Sequence, residues 1–317
     1  MQRYTKKIGI GRIKLDNREV FVFLQTFYEL LLKIKYMQIV NVVDELKLLL
    51  QKVKSSGKKT GFVPTMGALH EGHLSLVQQS VAENDFTVVS VFVNPTQFNN
   101  AHDLEKYPRD LARDAKLLET SGCDLIFAPS PEEIYAESEI NERFVFDFGG
   151  LDEVMEGRFR PGHFNGVVQI VSKLFNLVMP DNAYFGEKDF QQLAIIHRMT
   201  ELMGFDVQVV DCPIVREASG LAMSSRNERL SPEQRKIAAG ISKVLFECRN
   251  FVSSYTPERL KQWVENEIHQ IDGLDLEYFE IANTRTLQTA KSWDEPTVGC
   301  IAVFCGEVRL IDNIRCS

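Results

Sequence analysis

The stretch FTVVSVFV, residues 86–93, is a nearly continuous run of β-branched and aromatic residues. Such a run is typical of a strand that is buried on both faces, as the strands of parallel sheets are. Apolar spacing just before it predicts a helix near 72–83, and TGFVP at 60–64 is typical of another short strand. The sequence therefore predicts strand–helix–strand units, the repeating element of a parallel sheet.

The same alternation continues from Met37 to about residue 213. Apolar periodicity predicts further helices near 43–56, 103–121, 165–178 and 189–204. Short apolar runs predict further strands at 124–129, 183–186 and 207–213. Strands that alternate with helices form a parallel sheet, so the expected fold class is α/β with a Rossmann-like doubly wound sheet.

The pattern changes after residue 213. Ser231, followed by proline, is a good helix start, and strand-like runs follow at 274–282 and 298–311 without a helix between them. This pattern predicts a second, smaller α+β domain that closes over the first. We therefore expect two domains, at 37–212 and 213–317.

The first 36 residues differ in composition from the rest of the chain. They carry eight Lys/Arg and three Asp/Glu, and their apolar patches are interrupted by Gln25, Thr26 and Glu29. These patches are too short to span a bilayer, and no small-residue cleavage site follows them. We expect residues 1–36 to be an extension that plays no part in the fold.

The overall composition is that of a globular protein. Hydrophobic residues make up 44% and charged residues 25% of the 317 positions, which allows a large core and two domains. The net charge of −8 and the pI near 5.4 argue against a nucleic-acid or membrane-surface binder, so an anionic ligand must meet a local site. The six cysteines form no Cys-x-x-Cys pair, and we expect reduced thiols in a cytoplasmic protein.

Two of the six histidines, His70 and His73, lie in TMGALHEGH, where a predicted strand ends and a helix begins. In a parallel sheet this edge binds ligands; unpaired amides at the helix start favour anions, and glycines at 67 and 72 would let a phosphate approach. Both imidazoles point to one side and can donate hydrogen bonds to phosphate oxygens. The motif alone leaves open a helix cap or a metal site, although zinc would need a third ligand and Glu71 points elsewhere.

The segment GEKDFQQ, at 186–192, also follows a predicted strand and opens a helix. Lys188 can reach phosphates at the same sheet edge, and Asp189 can cap the helix or bind a ribose hydroxyl. Gln191 and Gln192 offer both donors and acceptors to a small polar substrate. A solvated helix start would explain the charged residues equally well, but it explains the paired glutamines less readily.

Two more segments place polar residues near this edge. LAMSSRN, at 221–227, has two serines followed by Arg226, a candidate clamp for a polyphosphate. VNPTQF, at 93–98, ends a strand and brings Asn94 and Gln97 to the ligand edge. An ordinary interdomain loop and an ordinary turn would explain either segment taken alone.

Together and in chain order, TMGALHEGH, VNPTQF, GEKDFQQ and LAMSSRN resemble the pantothenate synthetase family, the pantoate:β-alanine ligases of vitamin B5 biosynthesis. Further segments agree: KYPRDL at 106–111, FAPSPEEIY at 127–135, EGRFRPGHFNGV at 156–167, SKLFNLV at 172–178 and RLIDN at 309–313. The resemblance runs from Met37 to the C-terminus, which also supports excluding residues 1–36.

The resemblance implies a nucleotidyltransferase with a His-x-Gly-His signature. ATP would adenylate the pantoate carboxylate with release of pyrophosphate, and the β-alanine amine would then displace AMP. Mg²⁺ is implied together with ATP, as is a homodimer; no nucleic acid or membrane partner is implied. Because a carboxylate is a poor acylating agent, such a site mainly positions its substrates and neutralises charge.

The resemblance also assigns residues to roles. The implied catalytic residues are His73, usually named as a proton donor, with His70, Lys188 and Arg226. The implied ATP site comprises Met66, Gly67, Ala68, Leu69, His70, Glu71, Gly72, His73, Gly186, Glu187, Lys188, Asp189, Val215, Met223, Ser224, Ser225 and Arg226. The implied pantoate ligands are Gln97 and Gln192, with Gln97 also near β-alanine, and no protein metal ligand is assigned.

One position departs from the family pattern: Ser219 stands where Asp usually precedes Gly-Leu-Ala, which puts one loop contact in doubt. Three other functions fit part of the pattern. A related enzyme that adenylylates a phosphate would call for arginines in place of the paired glutamines. An aminoacyl-tRNA synthetase would need a tRNA-binding domain, which the length and charge do not provide. A protein that only binds nucleotide would bind ATP without releasing pyrophosphate.

Overall fold

The computed structural model describes residues 37–98, 101–136, 138–139 and 144–317, with the side chains of 101–103 left out. The expectation for residues 1–36 lies outside the described residues. Met37–Ser317 forms one compact unit. Within this described part of the chain, no helix is both long and apolar enough to cross a membrane.

Six strands form the main sheet. They are β1 (Gln38–Val40), β2 (Thr60–Thr65), β3 (Phe86–Val91), β4 (Leu125–Phe127), β5 (Asn182–Gly186) and β6 (Gln208–Cys212). Their order across the sheet is β1-β4-β3-β2-β5-β6, and every pairing is parallel. The strand order reverses between β2 and β5, so the doubly wound α/β prediction is confirmed and the expected ligand edge lies at their carboxyl ends.

Helices connect these strands. They are α1 (Val43–Ser55), α2 (Glu71–Glu83), α3 (Ala101–Lys106), α4 (Leu111–Thr120), α5 (Pro131–Ile134), α6 (Met155–Phe159), α7 (His163–Val178) and α8 (Phe190–Met203). The expected single helix over 103–121 is wrong, since α3 and α4 are separate. Pro108 explains the break, because proline disfavours a helical conformation at the residue before it.

Hydrophobic residues on both faces of the sheet are buried, as the run at 86–93 predicted. Successive residues of a strand point to opposite faces, and Phe62 and Val63 of β2 accordingly belong to two different core clusters. Val88 and Val89 of β3 divide in the same way, and all four side chains are fully buried. Burial on both faces explains why these strands lack an alternating polar pattern.

The C-terminal part contains α9 (Pro232–Cys248), α10 (Pro257–His269) and a three-stranded antiparallel sheet of β7 (Leu274–Asn283), β8 (Thr297–Cys305) and β9 (Val308–Arg315). Ser231 caps α9 in a capping box with Gln234, so the predicted helix start is confirmed. The expected single strand over 298–311 is wrong, since β8 and β9 form a hairpin that turns at Gly306 (φ +59°). A smaller α+β unit is present, while the boundary at residue 213 stays a prediction.

Candidate active site

The loop between β2 and α2 carries the two histidines of the quoted motif. His70 is the N-cap residue of α2, and the ring centroids of His70 and His73 are 4.1 Å apart. The expectation that both rings lie on one side is therefore confirmed. Both lie at the carboxyl end of β2, next to the position where the strand order reverses.

A hydrogen bond fixes which nitrogen of His70 is protonated. Nδ1 lies 3.1 Å from the backbone nitrogen of Gly72, which can only donate, so Nδ1 accepts and the proton of the neutral ring is on Nε2. Burial, followed by the charge of Lys188, lowers the pKa of His70 from 6.5 to about 4. At neutral pH the ring is therefore an uncharged donor through Nε2.

His73 is more deeply buried than His70. Burial lowers its pKa well below 6.5, and the neighbouring His70 and Lys188 act in the same direction. Its Nδ1 is buried without a hydrogen-bond partner among the described residues. In the free protein His73 is neutral, and an anion beside it would favour its protonated form.

The backbone amides of this loop are already paired. The N–H groups of Ala68 and Leu69 donate to the two carboxylate oxygens of Asp114 at 2.9 and 2.8 Å, and that of Gly67 donates to Thr65 Oγ1 at 3.2 Å. Gly72 N–H is taken by His70. At the helix start, the expectation of unpaired amides is wrong at Gly72, whose N–H pairs with His70. In the loop before the helix, Asp114 of α4, buried at 1% exposure, takes the place of an anion at the amides of Ala68 and Leu69.

The glycines of the loop leave room for protein atoms. A Cβ on Gly72 would lie 2.9 Å from the His70 ring, and one on Gly67 would lie 3.0 Å from the Asp114 carboxylate. These distances are shorter than ordinary van der Waals contact. The two glycines therefore make space for His70 and Asp114, and not only for a phosphate as the motif suggested.

The second segment follows β5 as a short 3-10 turn, Glu187–Asp189, before α8. Lys188 Nζ pairs with Asp189 at 3.1 Å, and Asp189 makes no side-chain hydrogen bond that caps α8. Gln191 is buried and donates to the carbonyls of Leu151 and Val154, so it is a structural residue. Both Gln191 and Gln192 line the adjoining cavity of about 400 Å³, and Gln191 Oε1 is buried without a hydrogen-bond partner among the described residues.

Gln97 sits in a network of buried polar groups. Asn94 Nδ2 donates to Gln97 Oε1 at 3.2 Å and to the Gly166 carbonyl at 3.0 Å, while Gln97 Nε2 contacts Met66 Sδ at 2.7 Å. His163 Nδ1 lies 2.8 Å from the Gln97 carbonyl, an acceptor, so Nδ1 carries the proton. The network fixes Gln97 beside the first loop.

The segment LAMSSRN, at 221–227, reaches the loop between β2 and α2 from the C-terminal part of the chain. Val215 and Met223 pair through a backbone hydrogen bond of 3.0 Å, and Ser225 Oγ donates to the Ala68 carbonyl at 3.0 Å. Ser224 instead caps the following 3-10 turn by accepting from Arg226 N–H. Ser219, at the position that departs from the family pattern, accepts a long 3.4 Å hydrogen bond from Leu221 N–H. The serines expected to hold a phosphate thus also organise the loop.

A cleft of about 1540 Å³ lies between these segments and the three-stranded sheet. Its lining includes six cationic side chains, Lys106, Arg160, Lys188, Arg226, Arg229 and Arg309. It also includes four carboxylates, Glu156, Asp189, Glu277 and Glu307. Cations exceed carboxylates here although the whole chain is acidic, so the charge of this cleft suits the anionic ligand for which the composition predicts a local site.

Not every expected residue lines this cleft. Lys188, Asp189, Ser224 and Arg226 do, whereas Met66 and Gly67 line a separate cavity of about 960 Å³. Glu71 is exposed.

The sequence interpretation missed several residues of the site. Arg160 and His163 lie in EGRFRPGHF, and Arg309 lies in RLIDN, two segments that were quoted without a role for any residue. Arg309 donates two hydrogen bonds, of 2.8 and 2.6 Å, to the buried carboxylate of Glu156. The charged residues in those two segments were the sequence feature that could have identified them.

Family and sequence comparisons agree over the whole described unit. The family model described as pantoate-beta-alanine ligase matches residues 38–315. The pantothenate synthetase of Bacteroides thetaiotaomicron is 56% identical over 281 residues, which are 88% of this chain and 99% of the relative. That of Porphyromonas gingivalis is 52% identical over the same shares of both chains.

Solved structures give the same result. A crystal structure of pantothenate synthetase from Thermus thermophilus superposes with a TM-score of 0.83 at 43% identity, covering 88% of this chain and 99% of the other. The pantoate-beta-alanine ligase of Francisella tularensis, complexed with beta-gamma ATP and beta-alanine, gives 0.74 at 34% identity over 88% and 98%. These identities and TM-scores are high enough to show both the fold and the family of this chain.

Proposed function

The chain belongs to the pantoate-beta-alanine ligase family, and on that premise we propose how its cleft joins pantoate to β-alanine at the expense of ATP. The pantoate carboxylate attacks the α-phosphorus of ATP, and pyrophosphate leaves. The β-alanine amine then attacks the acyl carbon of pantoyl adenylate, loses a proton and expels AMP. No covalent bond to the protein is needed.

The observation that carries this proposal is the convergence of neutral imidazoles and cations at one sheet edge. The rings of His70 and His73 lie together at the end of β2, tilted by 37°, and the charge of Lys188 lowers the pKa of both. Arg226, from the C-terminal part, lines the cleft that Lys188 also lines. Such preorganised donors stabilise the negative charge that develops on the phosphates in the transition state.

Within this site we assign the ATP contacts to residues 66–73, 186–189, 215 and 223–226. His73, usually named a proton donor, acts as a neutral hydrogen-bond donor until phosphate raises its pKa, and His70 donates through Nε2. Gln97 and Gln192 are assigned to pantoate, with Gln97 near β-alanine as well. An amide offers donors and an acceptor without charge, which suits hydroxyl groups beside a carboxylate.

Magnesium belongs to this proposal as the companion of ATP. Mg²⁺ prefers oxygen ligands, keeps several waters and is usually held by substrate phosphates with one or two carboxylates. Asp189 offers a carboxylate in the cleft next to Lys188, so the donor set fits a metal that arrives with the phosphates. When bound, the ion neutralises charge on the leaving pyrophosphate.

We also propose that the enzyme is a cytoplasmic homodimer, as the family resemblance implies. The five buried cysteines agree with a reduced state of the thiols. Sedimentation equilibrium measures the assembly: a mass of one chain at micromolar concentration would contradict the dimer.

The test is pyrophosphate release from ATP and Mg²⁺ with (R)-pantoate, with and without β-alanine. We expect release to require pantoate, and AMP and pantothenate to accumulate only after β-alanine is added. His73→Ala should lose on the order of 10²- to 10³-fold in rate. His269→Ala is the matched control, because His269 is exposed on α10.

Release that does not depend on pantoate would reject the proposal. ATP binding without any pyrophosphate would leave a protein that only binds nucleotide. Adenylylation of a phosphate ester in place of pantoate would identify a different nucleotidyltransferase.

A further inference from the structure

Strand β9 carries the segment RLIDN, which the sequence interpretation left without a role. We propose that Asn313, oriented by Asp312 and Arg216, is a positioning residue that sets the turn at 186–189 against the loop at 223–226. The proposal rests on the assignment of these two segments to ATP, and it adds residues that never need to touch a substrate.

Asn313 holds the 186–189 turn through both of its amide protons. Nδ2 donates to the carbonyl of Glu187 at 2.7 Å and to that of Lys188 at 3.0 Å. Asn313 is 4% exposed, so water does not compete for these carbonyls. The two bonds fix the backbone from which the Lys188 side chain extends into the cleft.

Asp312 and Arg216 connect the same strand to the other segment. Arg216 binds Asp312 with both nitrogens, Nη1 to Oδ2 at 2.6 Å and Nη2 to Oδ1 at 2.8 Å. Nη1 also donates to the Gly220 carbonyl at 3.1 Å. Arg216 belongs to the hairpin that leads directly into Ser224–Arg226, since residues 216 and 222 pair as an antiparallel bridge.

The ion pair and the amide are also linked to each other. Asp312 Oδ1 accepts from the backbone N–H of Asn313 at 2.7 Å, and Arg216 Nη2 lies 3.3 Å from the Asn313 carbonyl. The Asp312 side chain is 3% exposed and that of Arg216 16%, so this pair is shielded from solvent. One strand therefore anchors two separate phosphate-facing segments, which is how a scaffold holds reactive groups in fixed geometry.

The experiment compares steady-state kinetics of Asn313→Asp with those of the wild type. The substitution keeps the shape but replaces the NH₂ group, which donates both bonds, by one carboxylate oxygen that faces two carbonyls. We expect KM for ATP to rise on the order of tenfold or more, with KM for β-alanine changed less than twofold. A purely structural function would reduce the amount of folded enzyme and leave both KM values unchanged.

A second variant and a control complete the test. Arg216→Lys keeps the charge but cannot bind Asp312 with two nitrogens, so it should raise KM for ATP in the same direction. Combined with Asn313→Asp, it should add less than its separate effect, because both act through one strand. Lys261→Ala breaks the ion pair between α10 and β7 and should leave KM for ATP unchanged.

The outcomes separate the two proposals. If the wild type makes no pantothenate, the proposed function fails, and the positioning inference, which rests on it, fails with it. If the wild type is active and Asn313→Asp keeps the wild-type KM for ATP, the positioning inference fails alone. If Asn313→Asp does not fold, Asn313→Ser, which removes the bonds without adding charge, gives the same comparison.

Discussion

The two turns that follow β2 and β5 end neighbouring strands of one sheet, yet different parts of the chain hold them. Residues 66–70 are held by side chains of the same α/β unit: Asp114, 46 and 45 residues away, binds two amides, and His70 binds its own helix start. The 186–189 turn is held from outside, by Asn313, which lies 126 residues from Glu187. Apart from one bond from Ser225 to the Ala68 carbonyl, the first turn is thus organised by the α/β unit that carries it, whereas the second depends on the C-terminal part.

The largest expected effect comes from removing the Asp114 carboxylate, which holds the first turn. Asp114→Ala leaves the Ala68 and Leu69 amides buried without acceptors, which should lower the free energy of unfolding by about 3 kcal/mol. It should also lower kcat/KM for ATP on the order of 10²-fold. Urea denaturation and steady-state kinetics measure the two effects.

Asp110→Ala is the control for that variant. Asp110 caps the same helix, α4, by accepting from Arg113 N–H, but it does not contact the loop. The Asp110→Ala substitution should lower the free energy of unfolding by about 1 kcal/mol and leave KM for ATP unchanged. Equal kinetics for the two variants would show that Asp114 does not organise the first turn.

Lowering the pH should have a smaller effect on the stability of the first turn. The pKa of His70 is lowered to about 4, so between pH 6.5 and 4 the unfolded chain binds more protons at this residue than the folded chain. The free energy of unfolding should therefore fall as the pH falls through that window. Protonation also removes the Nδ1 lone pair that accepts from Gly72, which loosens the first turn selectively.

His70→Asn separates this contribution from those of the other histidines. Asparagine is a good N-cap and does not titrate, so the helix start is kept. Between pH 7 and pH 5, the variant should lose about 2 kcal/mol less stability than the wild type. Urea denaturation at the two pH values gives the comparison, and identical losses would refute the assignment of His70 as an acid-sensitive cap.

The smallest expected effect concerns an exposed contact of the 186–189 turn. Arg315 on β9 also contacts it, through Glu187 Oε1 at 2.5 Å, but the Arg315 side chain is 51% exposed. Exposed ion pairs contribute little, so Arg315→Ala should change stability by less than about 1 kcal/mol and KM for ATP by less than twofold. A KM change as large as that of Asn313→Asp would mean that general contact with β9, and not the buried amide, positions the turn.

Much of the fold followed from the sequence because burial leaves a repeated pattern. FTVVSVFV identified a strand buried on both faces, and alternating elements identified the parallel sheet. The errors came where one residue decided the outcome, as at Pro108 between α3 and α4 and at Gly306 between β8 and β9. Averaging over a window hides such single positions.

The site was predictable to a different extent. Four motifs placed most of the proposed contacts, since strand ends of a parallel sheet meet at one edge. Asp114, His163 and Asn313 were missed, because each acts on a partner distant in sequence; His163 and Asn313 lie in segments that carry the family resemblance, but nothing local identifies their partners. The partners of Gln191, the carbonyls of residues 151 and 154, are likewise distant in sequence, and only the structure gives them.

The sequence by itself determined the strands, the helix starts, the doubly wound class and the family, because hydrophobic periodicity and capping act over a few residues and recur along the chain. Only the tertiary structure decided which nitrogen of His70 carries its proton, what occupies the amides of the first turn and which strand supports the second. The amides of Ala68 and Leu69 and the turn at 186–189 depend on partners 45 to 126 residues away, which local sequence does not encode. The proton of His70 depends on a bond to Gly72, only two residues away, whose geometry exists only in the folded helix start.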